Sequence, residues 1–276
     1  MSIARRAVPP WKEAGTSDLH LATPNSDATA KRPRQPSNDV SLDSADSVQN
    51  LLLAALPRNE SDRLASSLQR VNFPRTRILY EAVDVMRHGI FINSGVASVL
   101  AITEEGQTIE IGAVGPEGFV GVPLVLGANR AAYRVMAQTK IEAFKIDSEA
   151  LRAEFDRGGK LRGLLLRYTN VSQAQAIQAV ICKLFHPLQP RLSRWLLTLS
   201  DCLETDTLEV THEQIASMLC AHRNRISVAA NAFRKEGLID YGRRGWIKII
   251  DRRGLKSGAC ECYGIVKDCI DAIFRD

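Results

Sequence analysis

The sequence predicts an α+β fold in which an antiparallel β-structure is joined by a long helix to a mainly helical domain. Short apolar runs separated by glycine-marked turns extend from Val71 to Ile146, which is typical of antiparallel strands. Helical periodicity covers Leu151–Phe185, and the stretch Val210–Phe233 contains two amphipathic helices joined by a tight turn. We therefore expect a disordered tail at 1–45, a β-domain at 46–150, a linking helix at 151–186 and a helical domain at 187–276.

Composition and charge bound the class of protein. With 276 residues, of which 45% are hydrophobic, the chain is long enough for two modest domains with buried cores. Between Val210 and Lys256, ten Lys and Arg residues stand against four Asp and Glu residues, a net charge of +6 compared with +5 for the whole chain. Positive charge concentrated in one segment indicates a nucleic-acid partner, although a solvated basic surface would give the same count.

The stretch Val210–Phe233 carries the strongest signal in the chain. Thr211 is a helix-capping hydroxyl, and Gln214 three residues later completes the pattern of a capping box. The second helix has one apolar face, formed by Ile226, Ala229, Ala230 and Phe233. Its opposite face begins with polar side chains of the kind that contact phosphates and base edges in a major groove. These side chains belong to His222, Arg223, Asn224, Arg225 and Ser227.

The next segment predicts a β-hairpin behind the second helix. Gly237 is a helix-terminating glycine, and DYGRRGWIKIID follows with the alternation of two short strands. The hairpin has a basic tip at Arg243, Arg244 and Gly245. Two helices and a basic hairpin in this order indicate a winged helix-turn-helix, and the alternative is an ordinary helical hairpin with a charged solvated face.

The segments VTHEQIASMLCAHRNRIS, FRKEGLI and RRGWIKIIDRRGL resemble the C-terminal DNA-binding domain of the Crp/Fnr superfamily. The resemblance implies a homodimeric, cytoplasmic transcription regulator that binds palindromic double-stranded DNA, with RNA polymerase as a possible further partner. Its DNA-binding residues would be Thr211, His222, Arg223, Asn224, Arg225, Ser227, Arg243 and Arg244. The alternative is an effector-sensing or protein-interaction module whose DNA domain is not functional.

Two departures from the family pattern bear on sequence readout. Cys220 stands where the turn of the family usually has glycine, and a positive φ there would store strain on the order of 1 kcal/mol. The family's best-known readout uses Arg, Glu and a second Arg. Arg223 matches the first position, whereas Asn224 and Val228 occupy the other two. We therefore expect an operator different from the best-known one.

The strand region resembles the cyclic-nucleotide-binding β-roll, and its pocket can be tested residue by residue. Nucleotide-binding members place a Gly-Glu pair on the ribose and an Arg-Ser/Thr pair on the phosphate. This chain has Gly121-Val122 and Ala131-Ala132 at those places. A phosphate without its partners loses charge-assisted hydrogen bonds of roughly 1.5–3 kcal/mol each, so weak or no cyclic-AMP binding is predicted. The candidate pocket residues are Glu117, Gly121, Val122, Arg130 and Arg134.

The five pocket candidates do not match the family's pocket positions equally well. Arg130 lies one residue before the expected place of the phosphate clamp, and Arg134 lies after it. Glu117 could substitute for the missing carboxylate, but a turn residue in Gly115-Pro116-Glu117-Gly118 is the simpler interpretation. The β-roll would then bind another small-molecule effector or serve as a dimer scaffold.

The long helix carries an apolar stripe at spacings of three and four residues, typical of a coiled-coil seam. Its members are Leu161, Leu164, Tyr168, Val171 and the more polar Gln175, with Gln178 and Cys182 beyond. Because the corresponding helix of the family dimerises, these residues are the candidate dimer interface. Packing against the chain's own β-roll is the alternative.

The cysteines and histidines give no motif for a metal, a cofactor or catalysis. Cys260, Cys262 and Cys269 have the spacing C-x-C…C with no fourth ligand nearby, and structural zinc usually takes four ligands. We therefore predict no metal and no cofactor, and reduced thiols in a cytoplasmic protein. The five histidines lack a Cys or Asp partner at motif spacing, so no enzyme is predicted. No apolar run approaches the length of a membrane span, and no signal peptide is apparent.

Overall fold

A computed structural model describes residues 48–242 and 245–275 of the chain. The predicted tail at 1–45 and the predicted contacts Arg243 and Arg244 lie outside these residues. The described part begins with two short helices, α1 (Leu51–Ala54) and α2 (Arg58–Ala65). Pro57 is the N-cap of α2 and separates it from α1.

Eight strands then form the predicted antiparallel β-roll. In chain order they are β1 (Leu68–Phe73), β2 (Ile78–Tyr80), β3 (His88–Ser94), β4 (Ala97–Ile102), β5 (Thr108–Val114), β6 (Phe119–Val120), β7 (Arg134–Ala137) and β8 (Ile141–Asp147), with the short helix α3 (Val122–Val125) between β6 and β7. They build two four-stranded sheets of order β1-β8-β3-β6 and β2-β7-β4-β5. The pairs within both sheets are antiparallel, so the α+β prediction with a β-roll is confirmed.

Gly95 shows why the β3–β4 connection requires a glycine. Its φ is 88°, and a Cβ atom there would collide with the carbonyl oxygen of Lys140. A larger side chain would be costly here for both reasons, because it would clash with the backbone and because L-residues rarely adopt this conformation. This glycine-marked turn is therefore fixed by backbone sterics.

The predicted long helix is divided into α4 (Ser148–Arg157) and α5 (Lys160–Phe185). Gly158 ends α4 in the left-handed conformation, with φ 89°. The buried carboxylate of Glu60 then accepts hydrogen bonds from the backbone N–H groups of Lys160 (2.8 Å) and Leu161 (2.9 Å). A carboxylate at a helix N-terminus satisfies free N–H groups and complements the helix dipole, so Glu60 sets the start of α5.

The helix α5 packs its predicted stripe onto the chain's own β-roll. Leu161, Leu164, Tyr168 and Val171 are each at most 1% exposed and belong to the β-roll core. Gln175 donates from its Nε2 to the carbonyl oxygen of Ala113 on β5 at 3.0 Å. The spacing that predicted a helix face was correct, but that face is covered within the chain. The four apolar residues are therefore buried in the β-roll core and leave no surface for a dimer seam, whereas Gln175 is half-buried and its place in the interface stays a prediction.

The C-terminal domain continues directly from α5. Its elements are α6 (Leu188–Leu203), β9 (Thr207–Leu208), α7 (His212–Leu219), α8 (Arg223–Lys235), β10 (Ile239–Tyr241), β11 (Ile247–Ile249), α9 (Arg252–Ser257) and α10 (Cys262–Asp271). The strands form a three-stranded sheet of order β10-β11-β9, which contains the predicted hairpin. Helix α10 returns to pack on α5, and Ile273 beyond it enters the β-roll core.

Polar contacts also join the C-terminal domain to the β-roll. Arg75, between β1 and β2, donates from its Nη2 to the carbonyl oxygen of Glu209 and to Oε1 of Gln214, both at 2.8 Å. Trp195 on α6 donates from its Nε1 to Glu110 on β5 at 3.1 Å. Burial raises the pKa of Glu110 to about 7, against the hydrogen bonds from Ser98 and Trp195 that favour the carboxylate. None of the helices in the described ranges is long and apolar enough to cross a membrane.

Candidate nucleic-acid interface and effector cavity

The two helices α7 and α8 have the geometry that the sequence predicts. Thr211 and Gln214 form a complete capping box, in which the Gln214 N–H donates to Thr211 Oγ1 at 3.2 Å and the Thr211 N–H donates to Gln214 Oε1 at 2.9 Å. Cys220 ends α7 with φ 48° and ψ 58°, the left-handed conformation. The cysteine at this turn therefore carries the strain expected for a non-glycine residue.

Buried side chains hold α8 from behind. Its apolar face is at most 5% exposed and packs into the core of the C-terminal domain, together with the apolar face of α7. The contributing residues are Ile215, Ala216 and Leu219 of α7, and Ile226, Ala229, Ala230 and Phe233 of α8. A helix fixed in this way presents its opposite face as a rigid surface.

The predicted polar face of α8 is open to solvent at its N-terminal end. His222, Arg223, Asn224 and Arg225 are all exposed. Arg223 makes an ion pair with Glu213, from Nε to Oε2 at 3.7 Å, in which both side chains are mostly exposed. Such pairs contribute only about 0–1 kcal/mol, so Arg223 can exchange this partner for another at little cost.

Ser227 differs from its neighbours because the protein already uses its hydroxyl. Its Oγ lies 3.0 Å from Nδ1 of His212 and donates to the carbonyl oxygen of Arg223 at 3.2 Å. Burial, with the nearby charge of Arg223, lowers the pKa of His212, which favours the neutral imidazole. Ser227 is half-buried and ties α8 to α7.

Two further residues extend this face along α8 and were not predicted as site residues. Val228 is 70% exposed, although valine is usually buried. Asn231 is exposed, and its Oδ1 accepts a hydrogen bond from the hydroxyl of Tyr241 on β10 at 2.5 Å. Asn231 lies two helical turns after Asn224, and this seven-residue spacing is the signal that could have revealed it.

The hairpin lies beside the start of α7. Gly245 has φ 75°, and a Cβ atom added there would lie 3.0 Å from Cγ2 of Thr211. Thr211 therefore marks the place where the hairpin and the α7 N-terminus meet.

A separate cavity of about 290 Å³ lies between the β-roll and α5. Its strand side is almost entirely apolar, and α5 contributes the polar groups of Thr169, Ser172, Gln173 and Gln175. Gly121 and Val122, which the sequence predicts as pocket residues, line this cavity. No Lys or Arg belongs to the lining among the residues that the structure describes.

The other three predicted pocket residues lie elsewhere. Arg130 donates from its Nη1 to the carbonyl oxygen of Val83 at 2.5 Å and borders a different cleft. Arg134 pairs with Glu81 at 2.8 Å. Glu117 is buried near Cys202 and accepts from the N–H of Gly115 at 3.0 Å, so it is a turn residue. Burial raises the pKa of Glu117. These three residues therefore do not line this cavity, because each is held by a partner outside it.

A β-roll that encloses a cavity, a helix along that cavity and a winged helix-turn-helix together define a two-domain protein of the DNA-binding class. Two family descriptions match the chain in the same order. The cyclic nucleotide-binding domain matches residues 70–157, and the Crp-like helix-turn-helix domain matches residues 190–257. The chain belongs to the Crp/Fnr family of transcription regulators.

Solved structures share this fold at low sequence identity. FixK2 from Bradyrhizobium japonicum superposes with a TM-score of 0.61 at 11% identity, covering 70% of this chain and 98% of that one. The c-di-GMP responsive global regulator CLP from Xanthomonas campestris gives 0.57 at 18%, with coverages of 70% and 99%. A CRP/FNR-family transcriptional regulator from Thermus thermophilus gives 0.55 at 22%, with coverages of 69% and 98%. No curated protein matches the chain by sequence.

Proposed function

We propose that this protein binds palindromic sites in double-stranded DNA as a homodimer and regulates transcription from them. The observation that carries the proposal is the exposed polar face at the start of α8, opposite a face buried in the domain core. Helix-turn-helix proteins insert the N-terminal part of such a helix into the major groove. The net charge of +6 over 210–256 favours approach to the phosphate backbone.

Three side chains of α8 are the readers of sequence. Arg223 is exposed and weakly paired, and its guanidinium can make a bidentate contact with O6 and N7 of guanine. Asn224 can pair in the same manner with adenine. Val228 is the exposed apolar group that would contact a thymine methyl group.

The remaining predicted residues position the domain on the backbone. Arg225 would bind a phosphate, and the same role is expected of Arg243 and Arg244 from their basic character alone. Thr211 caps the start of α7, and a helix N-terminus is a further place at which a phosphate can bind. His222 precedes the first turn of α8 and is exposed beside the same edge. Ser227 acts by holding α8 against His212, since its hydroxyl already has partners within the protein.

The exposed face of α5 supports a dimer seam different from the predicted one. Leu166, Ile177, Val180 and Leu184 are between 45% and 70% exposed. With Asn170 and Gln173, also exposed, they follow alternating steps of four and three residues, the spacing of a two-stranded coiled coil. A polar Asn within such a seam specifies register. The seam is covered when two copies pair in parallel, which places two α8 helices on one side of the dimer.

The cavity supports an effector that is small and uncharged. Its strand wall is apolar, and its α5 wall offers hydroxyl and amide groups but no cation among the described lining residues. A cyclic phosphate would lose its hydration there without gaining a charged partner. Because Gln173 belongs both to the cavity wall and to the exposed face of α5, an effector would act next to the dimer seam. A contact with RNA polymerase stays a prediction from the family resemblance.

Selection of bound fragments from random DNA by the full-length protein tests the proposal. We expect an inverted repeat whose half-sites are centred about 10 base pairs apart, one turn of the double helix. Affinity should fall steeply as salt rises, because phosphate contacts release counterions. Recovery of random sequences without an inverted repeat would contradict specific binding by a two-fold dimer.

A further inference from the structure

Three thiols and one imidazole meet where α5, α6 and α10 come together. They belong to Cys182, His186, Cys260 and Cys262, and their four candidate ligand atoms all lie within 4.8 Å of one another. The three cysteines are buried, at 2%, 7% and 0% exposure, and they form a small cluster apart from the two main cores. Sulfur and imidazole nitrogen are the ligands that zinc prefers in structural sites.

Two distant segments supply these groups. Cys182 and His186 lie one helical turn apart at the end of α5, and the His186 N–H donates to the Cys182 carbonyl oxygen at 3.2 Å. Cys260 lies two residues before α10 and Cys262 is its first residue, and the Tyr263 N–H donates to the Cys260 carbonyl oxygen at 3.1 Å. The sequence predicted no metal because C-x-C lacked a fourth ligand nearby. The fold brings two further ligands from 74 or more positions earlier in the chain. Cys269 is not part of the cluster.

Two of the six distances between the candidate ligand atoms match a single tetrahedral ion, and none of the six exceeds 4.8 Å, so zinc would draw the widest pairs together by about 1 Å or less. The Sγ atoms of Cys182 and Cys260 are 3.6 Å apart, and Sγ of Cys262 is 3.6 Å from Nδ1 of His186. With Zn–S bonds of about 2.3 Å and Zn–N bonds of about 2.0–2.1 Å, neighbouring ligand atoms of a tetrahedron are about 3.5–3.8 Å apart. A disulfide requires about 2.05 Å between its sulfur atoms, so the cysteines are free thiols. An iron–sulfur cluster would need its ligand sulfurs spread around several iron atoms.

The surrounding side chains have the features of a second coordination layer. Nε2 of His186 lies 3.1 Å from Oε1 of Glu261, which leaves Nδ1 directed at Cys262. Metal-binding histidines commonly donate their other ring N–H to a carboxylate in this way. The guanidinium of Arg194 lies beside Cys182, and its buried Nε has no hydrogen-bond partner in the described part of the chain. Three thiolates, one neutral imidazole and Zn²⁺ carry a net charge of −1, which this cation balances.

We propose that Cys182, His186, Cys260 and Cys262 bind one zinc ion as a structural tetrahedral site. All four positions are taken by protein side chains, so no position remains for a reacting water or substrate. On binding, the three thiols release their protons to solvent, and the imidazole binds through Nδ1 as a neutral ligand. No change of oxidation state is involved.

The position of the site gives it a mechanical consequence. His186 and Pro187 form the joint between α5 and α6, through which the C-terminal domain is attached to the helix that lines the cavity. Helix α10 lies beyond the matched helix-turn-helix residues, and it packs against both α5 and α6. Zinc would fasten α10 to the end of α5 and so fix the angle at this joint.

Metal analysis of the full-length protein, purified with zinc and then dialysed, tests the proposal. We expect about one zinc ion per chain in the wild type and less than about 0.1 in the variant Cys260→Ser/Cys262→Ser. Cys269→Ser is the matched control, because it removes a thiol from the same helix outside the cluster, and it should keep the full zinc content. Cobalt should replace zinc with visible absorption bands of a tetrahedral thiolate site.

Several results would overturn the proposal. One is a folded wild-type protein that takes up no zinc or cobalt after reduction. Another is iron with acid-labile sulfide in place of zinc, and a third is a double variant that retains zinc. If the double variant does not fold, removal of zinc from the wild type by a chelator and titration with zinc decide the question. A saturable uptake of about one equivalent supports the site, and no uptake refutes it.

Discussion

Replacement of Arg223 by Ala is the perturbation that most sharply separates base reading from general attraction to DNA. A bidentate Arg–guanine pair contributes about 1–3 kcal/mol, so loss in both half-sites of a dimer costs about 2–6 kcal/mol. Arg223 gives up its exposed ion pair with Glu213, at 3.7 Å, when it binds DNA, and the Ala variant has no such pair to lose. This difference offsets the loss by at most about 1 kcal/mol per subunit. At the middle of the range the net loss is about 2–4 kcal/mol, and since about 1.4 kcal/mol is a factor of ten in affinity, we expect Kd for the selected site to rise by roughly 30- to 700-fold.

Fluorescence anisotropy on the selected site and on random DNA of equal length provides the assay. Arg223→Ala should weaken the selected site far more than the random duplex. Arg225→Ala is the matched control, because it removes the same charge from a neighbouring exposed residue predicted to bind phosphate. It should weaken both duplexes alike and reduce the salt dependence by about one phosphate contact per subunit. Equal losses on both duplexes for Arg223→Ala would refute its role in reading a base.

The remaining predictions concern the dimer, the stability and the effector. Ile177→Glu should give a monomer in light scattering, because it places a charge in the exposed seam of α5, whereas Arg167→Glu outside that seam should not. Leu164→Ala should lower the free energy of unfolding by about 2–5 kcal/mol, since it makes a cavity in the β-roll core, and it should leave the dimer intact. If this variant were monomeric, Leu164 would belong to the dimer seam after all. Burial raises the pKa of Glu110 from 4.5 to about 7. The folded protein therefore binds the extra proton between these values, and the free energy of unfolding should fall by up to about 3 kcal/mol as pH rises through this window. Glu110→Gln should remove that fall in denaturant titrations, and an unchanged pH profile would argue against it. Calorimetry should detect no micromolar binding of cyclic AMP, because a cyclic phosphate finds no cation among the described residues of the cavity wall; micromolar binding would overturn that assignment.

Local signals in the sequence predicted the elements of this fold well. The capping box at Thr211 and the glycine turn at Gly95 are determined by neighbouring residues, so the sequence pattern and the structure agree there. It was harder to predict what each apolar helix face packs against. The stripe at Leu161 and Leu164 has the spacing of a dimer seam, but the same spacing results when a helix packs on its own β-roll. Periodicity identifies an apolar face without identifying what covers it.

The candidate sites also differ in how well they could be predicted from the sequence. The exposed residues at the start of α8 follow from helical spacing within one segment. The effector cavity required three-dimensional placement, because Arg130 and Glu117 are close in sequence to pocket positions yet bind partners outside the cavity. The thiol cluster was missed because Cys182 and Cys260 are 78 positions apart. Only the return of α10 onto α5 brings them together.

Methylation interference on the selected site tests the central claim most directly, because it reports contact with N7 of individual guanines in the major groove. We predict interference at one or more guanines in each half-site, related by the two-fold axis and about 10 base pairs apart. Interference at that symmetric pair should disappear with Arg223→Ala and persist with Arg225→Ala. An unchanged pattern with Arg223→Ala, or interference without two-fold symmetry, would contradict readout by the start of α8 in a symmetric dimer.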